Sequence, residues 1–197
     1  IYLLKKEESG LLGRIKMMDR IPNVTFKCRV KTDGEWGWKD ITTDELFKNK
    51  NVILFSLPGA FTPTCSTYQL PGFEKLYDDF KELGVDDIYC MSVNDSFVMN
   101  AWGKVHEINK VKMIPDGSGE FTRQMGMLVK KDNLGFGYRS WRYAIMVNNG
   151  FIRQIWEESG KMDNCPDDPY EMSNPENILE DLKYEKETAG HENVQSI

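Results

Sequence analysis

The sequence predicts a mixed α/β sandwich, in which helices pack on a mixed sheet. Two observations carry this prediction. Strand-like and helix-like segments alternate over the first part of the chain, and an antiparallel hairpin and a closing helix follow them. The turn of that hairpin is marked by Asn148-Asn149-Gly150. With 197 residues and neither internal repeats nor low-complexity segments, the chain has the size of one domain with a sizeable core.

Individual elements follow from side-chain periodicity and from residues that start or stop them. Strands are predicted at 24–30, 36–39, 52–57, 87–93, 111–114, 142–147 and 151–157. Helices are predicted at 43–47, from 65 to about 83 with a bend at 71–72, from 94 to about 106, at 119–125 and from 173 to about 183. The apolar run 52–57 is typical of a central strand covered on both faces. The first two strands form a hairpin ahead of the sandwich.

The predicted domain has a polar segment at each end. Residues 1–20 are expected to form an N-terminal extension, either a short amphipathic lead-in or a flexible tail, and residues 21–185 the folded domain. Residues 186–197 are predicted to be a polar, frayed C-terminal tail. The first twenty residues lack the continuous apolar core of a secretory signal. We therefore expect a cytoplasmic protein, with an organellar location as the alternative.

Charge and cysteine content limit the classes of function. A net charge of −6 and a pI near 5.1 give no reason to expect nucleic-acid or anionic-membrane binding. No apolar stretch approaches the roughly 18 residues that a membrane span requires. The four cysteines and two histidines lie far apart, without a CxxC or metal-ligand spacing, so neither a zinc site nor a disulfide scaffold is expected.

The strongest functional feature is the segment Pro58-Gly-Ala-Phe-Thr-Pro-Thr-Cys65. It joins the predicted central strand to a helix, so the Cys65 thiol lies where unpaired N–H groups and the helix dipole favour a thiolate. Thr62 is close enough to direct its hydroxyl at the sulfur or at a bound oxygen, and Pro58 would shield the pocket from water. The structural alternatives are a buried core cysteine at position 65 and a simple helix cap at Thr62.

A cation that stabilises negative charge on the sulfur must come from elsewhere in the chain. Arg142 begins the apolar strand 142–147, and a charged side chain at a strand end can point into a neighbouring pocket. Arg139 is the competing candidate slightly earlier in the chain. An ordinary surface salt bridge is the alternative role for Arg142.

These residues resemble a known signature. Pro58-x-x-x-Thr62-x-x-Cys65 is the PxxxTxxC pattern of the peroxiredoxins, and PGAFTPTCS resembles their type-5 (atypical) subfamily. Further similar stretches are Leu70–Phe73, Ser92–Val98 with Trp102-Gly103, and Trp141–Tyr143. The resemblance runs from about Ile21 to Leu182 and departs at Gln69, where many relatives carry a histidine.

The resemblance implies a thioredoxin-like fold and a thiol peroxidase that needs neither a metal nor an organic cofactor. Cys65 would be the peroxidatic cysteine, and Pro58, Thr62 and Arg142 would complete its pocket. Its attack on hydrogen peroxide or a small alkyl hydroperoxide would leave a sulfenic acid, which a second thiol must reduce. Related proteins form dimers, so a homodimer face is expected near Phe61, Trp102 and the loop 116–121.

The second thiol has two candidate sources. Cys165 lies in a polar, turn-rich loop where exposure is expected, and some type-5 relatives form an intramolecular disulfide with a cysteine in this region. Others carry no functional resolving cysteine and use glutathione, glutaredoxin or thioredoxin. The acidic stretches 157–158 and 163–171 are expected to form a solvated loop, and Cys28 and Cys90 to be inert core thiols.

Two other functions stay open at the level of the sequence. A redox-sensing or scaffold protein of the same fold would oxidise Cys65 slowly and bind a partner in its oxidised form. A disulfide oxidoreductase is disfavoured, because Cys65-Ser-Thr-Tyr68 lacks the second cysteine of a CxxC motif. The rate of peroxide turnover separates the sensor from the enzyme.

Overall fold

The computed structural model describes the backbone of residues 15–192 and the side chains of residues 15–190. Within these residues the strands are β1 (Thr25–Thr32), β2 (Glu35–Thr42), β3 (Asn51–Leu57), β4 (Asp87–Ser92), β5 (Lys112–Pro115), β6 (Leu128–Lys130), β7 (Tyr138–Ser140), β8 (Tyr143–Asn148) and β9 (Phe151–Glu157). The α-helices are α1 (Thr43–Phe47), α2 (Leu70–Lys75), α3 (Tyr77–Glu82), α4 (Ser96–Val105), α5 (Glu120–Gln124) and α6 (Pro175–Glu192).

Strand β3 lies at the centre of a five-stranded mixed sheet with the order β5-β4-β3-β8-β9. β4 pairs in parallel with β3 and β5 in parallel with β4, whereas β8 and β9 are added antiparallel. The parallel pairs require crossovers, which α2 with α3 and α4 supply. β1 with β2 and β6 with β7 form two separate two-stranded sheets. The mixed α/β class and the N-terminal hairpin addition are therefore confirmed.

Alternating side chains of the central strands enter two cores on opposite faces of the sheet. Leu54 and Tyr89 point into one core, which also contains residues of β1, α1 and α5, and which we call the hairpin-side core. Phe55 points into the other, the helix-side core, which contains residues of α2, α3, α4 and α6. There Phe55, Phe73 and Phe80 stack in succession, with ring centroids 4.0 and 5.9 Å apart. Full burial of each such ring contributes about 1.5–3 kcal/mol.

The helix predicted from Cys65 to Leu83 is divided into three elements. A π-helical turn spans Cys65–Gln69 and is closed by the Leu70 N–H donating to the Cys65 carbonyl. Pro71 follows this turn inside a segment that is helical without a break from residue 63 to residue 75, so it does not end the helix. α2 and α3 are separated at Leu76, whose backbone is not helical (φ −92°, ψ 7°).

Other differences from the prediction lie outside the central sheet. The β6–β7 sheet was not predicted, because three-residue strands carry too little alternation to recognise. α6 continues to Glu192 instead of ending at about Lys183, since its polar second half is rich in residues that favour helices. Residues 1–14 and 193–197, which hold most of the expected extension and the end of the expected tail, lie outside the described residues. Among the helices of residues 15–192, none is long and apolar enough to cross a membrane.

Candidate active site

The loop between β3 and the π-helical turn holds a tight backbone conformation ahead of the cysteine. The Ala60 N–H donates to Asn94 Oδ1 at 3.0 Å, which ties this loop to the end of β4. The Thr62 hydroxyl donates to the Gly59 carbonyl at 2.7 Å. Pro58 is buried, whereas Phe61 adopts a left-handed conformation (φ 63°) and is 52 % exposed. The fixed loop thus presents the Thr62 oxygen, with its lone pairs, close to the start of the π-helical turn.

Cys65 is fully buried at the first residue of the π-helical turn. The next residue, Ser66, donates its N–H to the Thr62 carbonyl at 3.0 Å. Its hydroxyl accepts the Trp102 indole N–H at 3.0 Å. Helix α4 therefore holds the turn that carries the thiol.

Arg142, immediately before β8, is the cation that reaches the sulfur. Its side chain is 2 % exposed, and Nη1 donates both to Cys65 Sγ at 3.4 Å and to Gln69 Oε1. Nη2 pairs with Asp168 Oδ1 at 2.6 Å, and Nε donates to the Pro169 carbonyl at 3.2 Å. Burial by itself lowers the pKa of Arg142, but Cys65 and Asp168 outweigh this effect and raise it. Arg142 therefore stays charged in a buried position.

Arg139, the competing candidate, contacts the loop and not the sulfur. It extends from β7, and its Nη1 donates to the Pro58 carbonyl at 3.2 Å. A methyl group at Gly59 would overlap with this guanidinium, so the arginine would have to shift to accommodate it. Burial lowers the pKa of Arg139, and the nearby Cys65 opposes that shift. The two arginines have separate places, one at the sulfur and one on the loop that surrounds it.

Gln69, where the sequence departs from the pattern that it resembles, is fully buried beside this pair. Its Oε1 accepts a hydrogen bond from Arg142. Its Nε2 has no hydrogen-bond partner among the described residues. In this chain the side chain at position 69 therefore supports the arginine.

The acidic loop after β9 is largely exposed, as expected, but it also contributes to the site, and the expectation is wrong for Glu158. Asp168 pairs with Arg142, and the Tyr170 ring lies over the guanidinium with 5.5 Å from Cζ to the ring centroid. Glu158 is buried beneath this loop. Sequence analysis missed these residues because nothing in the sequence distinguishes Asp168 from its neighbour Asp167.

Cys165 is 8 % exposed, so the expected exposure of this thiol is wrong. It lies in the hairpin-side core together with Met127 and Trp141, whereas Cys65 lies in the helix-side core. The two thiols therefore belong to different cores. Its role as a resolving cysteine stays a prediction.

The two other cysteines are also buried. Burial raises the pKa of Cys90 well above its usual value, and the neighbouring Cys65 adds to this effect. Burial also raises the pKa of Cys28, with a smaller contribution from Asp40. Within residues 15–192, no three His, Cys, Asp or Glu side chains are grouped so that they could hold a metal ion. The expectation that the chain needs no metal or organic cofactor stays a prediction.

A buried cysteine at a strand-to-helix junction, faced by a buried and charged arginine, defines the class of thiol-based oxidoreductases. Comparison with known proteins agrees with this class. Residues 17–170 match the Redoxin family model. The chain is 62 % identical to a peroxiredoxin of Rhizobium etli over an alignment of 172 residues. This alignment covers 85 % of this chain and 96 % of the relative.

Solved structures give the same result. The 1-Cys peroxiredoxin (antioxidant protein) of Plasmodium falciparum matches with a TM-score of 0.80 and 44 % identity over 84 % of this chain and 98 % of that one. Reduced Prx3 of Vibrio vulnificus, solved in complex with H2O2, matches with a TM-score of 0.76 and 37 % identity over 87 % and 98 %. The chain therefore belongs to the peroxiredoxins, has their thioredoxin-like fold and is a thiol peroxidase. Matches to proteins named as Prx5 agree with the type-5 subfamily.

Proposed function

We propose that the chain reduces hydrogen peroxide and small alkyl hydroperoxides through a sulfenic acid on Cys65. The observation that carries this proposal is the 3.4 Å contact between Arg142 Nη1 and the buried Cys65 sulfur. Burying a charged sulfur is costly unless a partner compensates it, and the guanidinium is that partner. The site thus supplies a nucleophile and a fixed positive charge, both shielded from solvent.

The proposed reaction begins with attack of the Cys65 thiolate on one peroxide oxygen. The O–O bond breaks as the S–O bond forms, and the departing oxygen takes up a proton to leave as water or an alcohol. Because its hydroxyl hydrogen is engaged with Gly59, the Thr62 oxygen is free to accept a hydrogen bond from the peroxide O–H. Arg142 and the N–H groups near Cys65 stabilise the negative charge that moves onto the departing oxygen.

We propose an external thiol as reductant, either glutathione with glutaredoxin or thioredoxin. The sulfenic acid condenses with one thiol to release water, and a second thiol then displaces Cys65 and leaves as a disulfide. The location of Cys165 supports an external donor, since it is buried in the core on the opposite face of the sheet. The name of the Plasmodium falciparum relative, a 1-Cys peroxiredoxin, supports the same scheme.

Peroxide turnover with each reductant tests this proposal. Wild-type protein should consume hydrogen peroxide and a small alkyl hydroperoxide in the presence of glutathione with glutaredoxin or of thioredoxin. Cys65→Ser should be inactive, because the nucleophile is lost, while the folded state of the variant is checked by its thermal midpoint. Full activity in Cys65→Ser would overturn the assignment of the peroxidatic cysteine.

The rate of the first step separates the peroxidase from the redox-sensing or scaffold alternative. A peroxidase site reacts with peroxide much faster than free cysteine and turns over repeatedly. Reaction of Cys65 at the rate of free cysteine, without turnover, would favour the sensor. The contact between Arg142 and the Cys65 sulfur supports the peroxidase, because a guanidinium there stabilises charge on the attacking sulfur and on the departing oxygen.

We also propose that the chain forms a homodimer through the surface near Phe61. This apolar side chain is 52 % exposed within the loop that leads to Cys65. Trp102 and Phe121, which the sequence placed at the same face, are fully buried within the chain and cannot contact a partner directly. Light scattering on wild type and Phe61→Ser measures the oligomeric state, and a monomeric wild type would rule the proposal out.

A further inference from the structure

The donors of Arg142 are almost completely engaged by the protein. A guanidinium carries five N–H hydrogens. In the described part of the chain, four of them have partners: Cys65 Sγ, Gln69 Oε1, the Pro169 carbonyl and Asp168 Oδ1. The hydrogen that is left is on Nη2, the same nitrogen that donates to Asp168 at 2.6 Å. The Asp168 carboxylate thus restrains the nitrogen that carries the one N–H left for a bound peroxide.

The position of Asp168 is itself fixed by a buried carboxylate. Glu158 is 2 % exposed, and its carboxylate accepts the backbone N–H groups of Glu171, Met172 and Ser173 at 2.8–3.1 Å. It also accepts the Ser173 hydroxyl at 2.7 Å, and its backbone carbonyl accepts the Trp141 indole N–H at 2.8 Å. We call this group the Glu158 clamp. It anchors the C-terminal side of the loop three residues beyond Asp168.

We propose that Asp168 is a positioning residue for the peroxide reaction, held in place by the Glu158 clamp and acting through Arg142. Its carboxylate keeps Nη2 directed at the peroxide oxygen, so that the guanidinium needs no reorientation during the reaction. This inference rests on the proposed function of Arg142. Asp168 does not pack in either core, since its side chain is 49 % exposed at the edge of the site.

Because Asp168 is negatively charged, an experiment can distinguish a positioning role of its carboxylate from a general electrostatic effect on Cys65. Changing Asp168 to asparagine removes a negative charge near Cys65, which by itself favours a thiolate. Electrostatics alone therefore predicts a faster reaction of Cys65 with every electrophile. Loss of the Nη2 direction, with the Nη1 contact to Cys65 kept, instead predicts a slower reaction with peroxide alone. A neutral alkylating reagent such as iodoacetamide needs the thiolate but not a directed Nη2.

The experiment measures single-turnover rate constants of Cys65 with hydrogen peroxide and with iodoacetamide. The variants are Asp168→Asn, Asp168→Glu and the matched control Asp167→Asn, which makes the same change in charge one residue away on an exposed side chain. For Asp168→Asn we expect the peroxide rate to fall about 10- to 100-fold and the iodoacetamide rate to stay unchanged or rise. Asp168→Glu should recover part of the loss, and Asp167→Asn should behave as wild type.

Three results would overturn the proposal. Equal peroxide rates for Asp168→Asn and Asp167→Asn would show that the carboxylate does not position Arg142. Parallel slowing of both reactions, together with a lower thermal midpoint, would mark a purely structural role. A wild type that reacts with peroxide no faster than free cysteine would remove the proposed function and this inference together, whereas an active wild type with an unaffected Asp168→Asn removes only the positioning role.

Discussion

Arg142 stabilises negative charge on the Cys65 sulfur, as water would do if the sulfur were exposed. Cys65 is fully buried, and an unpaired charge in such a position would be strongly destabilising. The planar guanidinium reaches Cys65 and Gln69 with one nitrogen and Asp168 with the other. A lysine ammonium is a point charge on a flexible stem and cannot hold these directions at once. At this position, geometry matters as much as charge.

We therefore predict that Arg142→Lys loses most of the peroxide reaction although the charge is kept. The expected fall in the single-turnover rate constant is about 100- to 1,000-fold, the cost of losing a directed donor in such a site. The measurement is the reaction with hydrogen peroxide, with Arg123→Lys as control because that arginine is exposed at the end of α5. A rate within about threefold of wild type would mean that positive charge alone is sufficient.

Sequence reasoning reached the residues that a short motif or a strand end marks. Pro58, Thr62 and Cys65 lie within one local pattern, and Arg142 could be selected because it precedes an apolar strand. Asp168 could not be found in this way. It lies 26 residues from Arg142, and the loop that brings it back depends on the Glu158 clamp, which has no sequence signature. The spacing of residues along the sequence does not reveal a contact that depends on the path of a loop.

At the scale of elements, one buried carboxylate joins three neighbouring strands. Asp87 begins β4, and it accepts hydrogen bonds from Lys50, just before β3, at 3.1 Å and from Lys112, at the start of β5, at 3.0 Å. Burial by itself raises the pKa of Asp87, but the hydrogen bonds and charges of both lysines outweigh it and lower the pKa. The three ends of the parallel strands are thus held by ionised Asp87.

The sign of that shift predicts how stability depends on pH. Because the folded pKa of Asp87 is lowered, its contribution is complete above the unfolded value of about 3.9 and is lost as the pH falls through the lower folded value. Asp87→Asn should therefore be less stable than wild type near pH 7, by about 1–2 kcal/mol, and the difference should shrink in acid. Urea unfolding over this pH range measures it.

The exposed pair Lys27–Asp40 provides the matched control. Asp40→Asn should change the free energy of unfolding little at any pH, because exposed ion pairs contribute little. A difference between wild type and Asp87→Asn that stays the same from neutral to acidic pH would contradict the assignment. It would mean that Asp87 acts by packing and not by its charge.

The elements differ in how far the sequence specifies them. Each strand of the central sheet was predicted, since apolar runs and the turn at Asn149 and Gly150 are local signals. The helix after Cys65 was also predicted, but its π-helical turn and its break at Leu76 have no local signal. Gly72 lies so close to Pro175 of α6 that a Cβ would be 2.9 Å from its ring, and that contact is absent from any local pattern.

At the scale of the whole molecule, the four cysteines are divided between the two cores of the protein. Cys65 and Cys90 belong to the helix-side core, while Cys28 and Cys165 belong to the hairpin-side core. The Cys165 loop is also fixed, since the Asn164 N–H donates to the Lys130 carbonyl at 2.8 Å. A disulfide between Cys65 and Cys165 would require Cys165 to leave the hairpin-side core, and Cys165 lies three residues before the Asp168 that pairs with Arg142. We therefore expect that forming this bond would disturb the ion pair.

We accordingly predict that Cys165 does not take part in turnover. Cys165→Ser should keep wild-type peroxidase activity with the external reductant, and intact-mass analysis of wild type treated with one equivalent of peroxide should show an added oxygen and not the loss of two hydrogens. Cys28→Ser is the matched control, because it also replaces a buried cysteine of the hairpin-side core and carries the same cost of a buried hydroxyl. If Cys165→Ser lost turnover while Cys28→Ser kept it, and wild type lost two hydrogens, Cys165 would be the resolving cysteine. The loop that holds Asp168 would then have to open and close in every catalytic cycle.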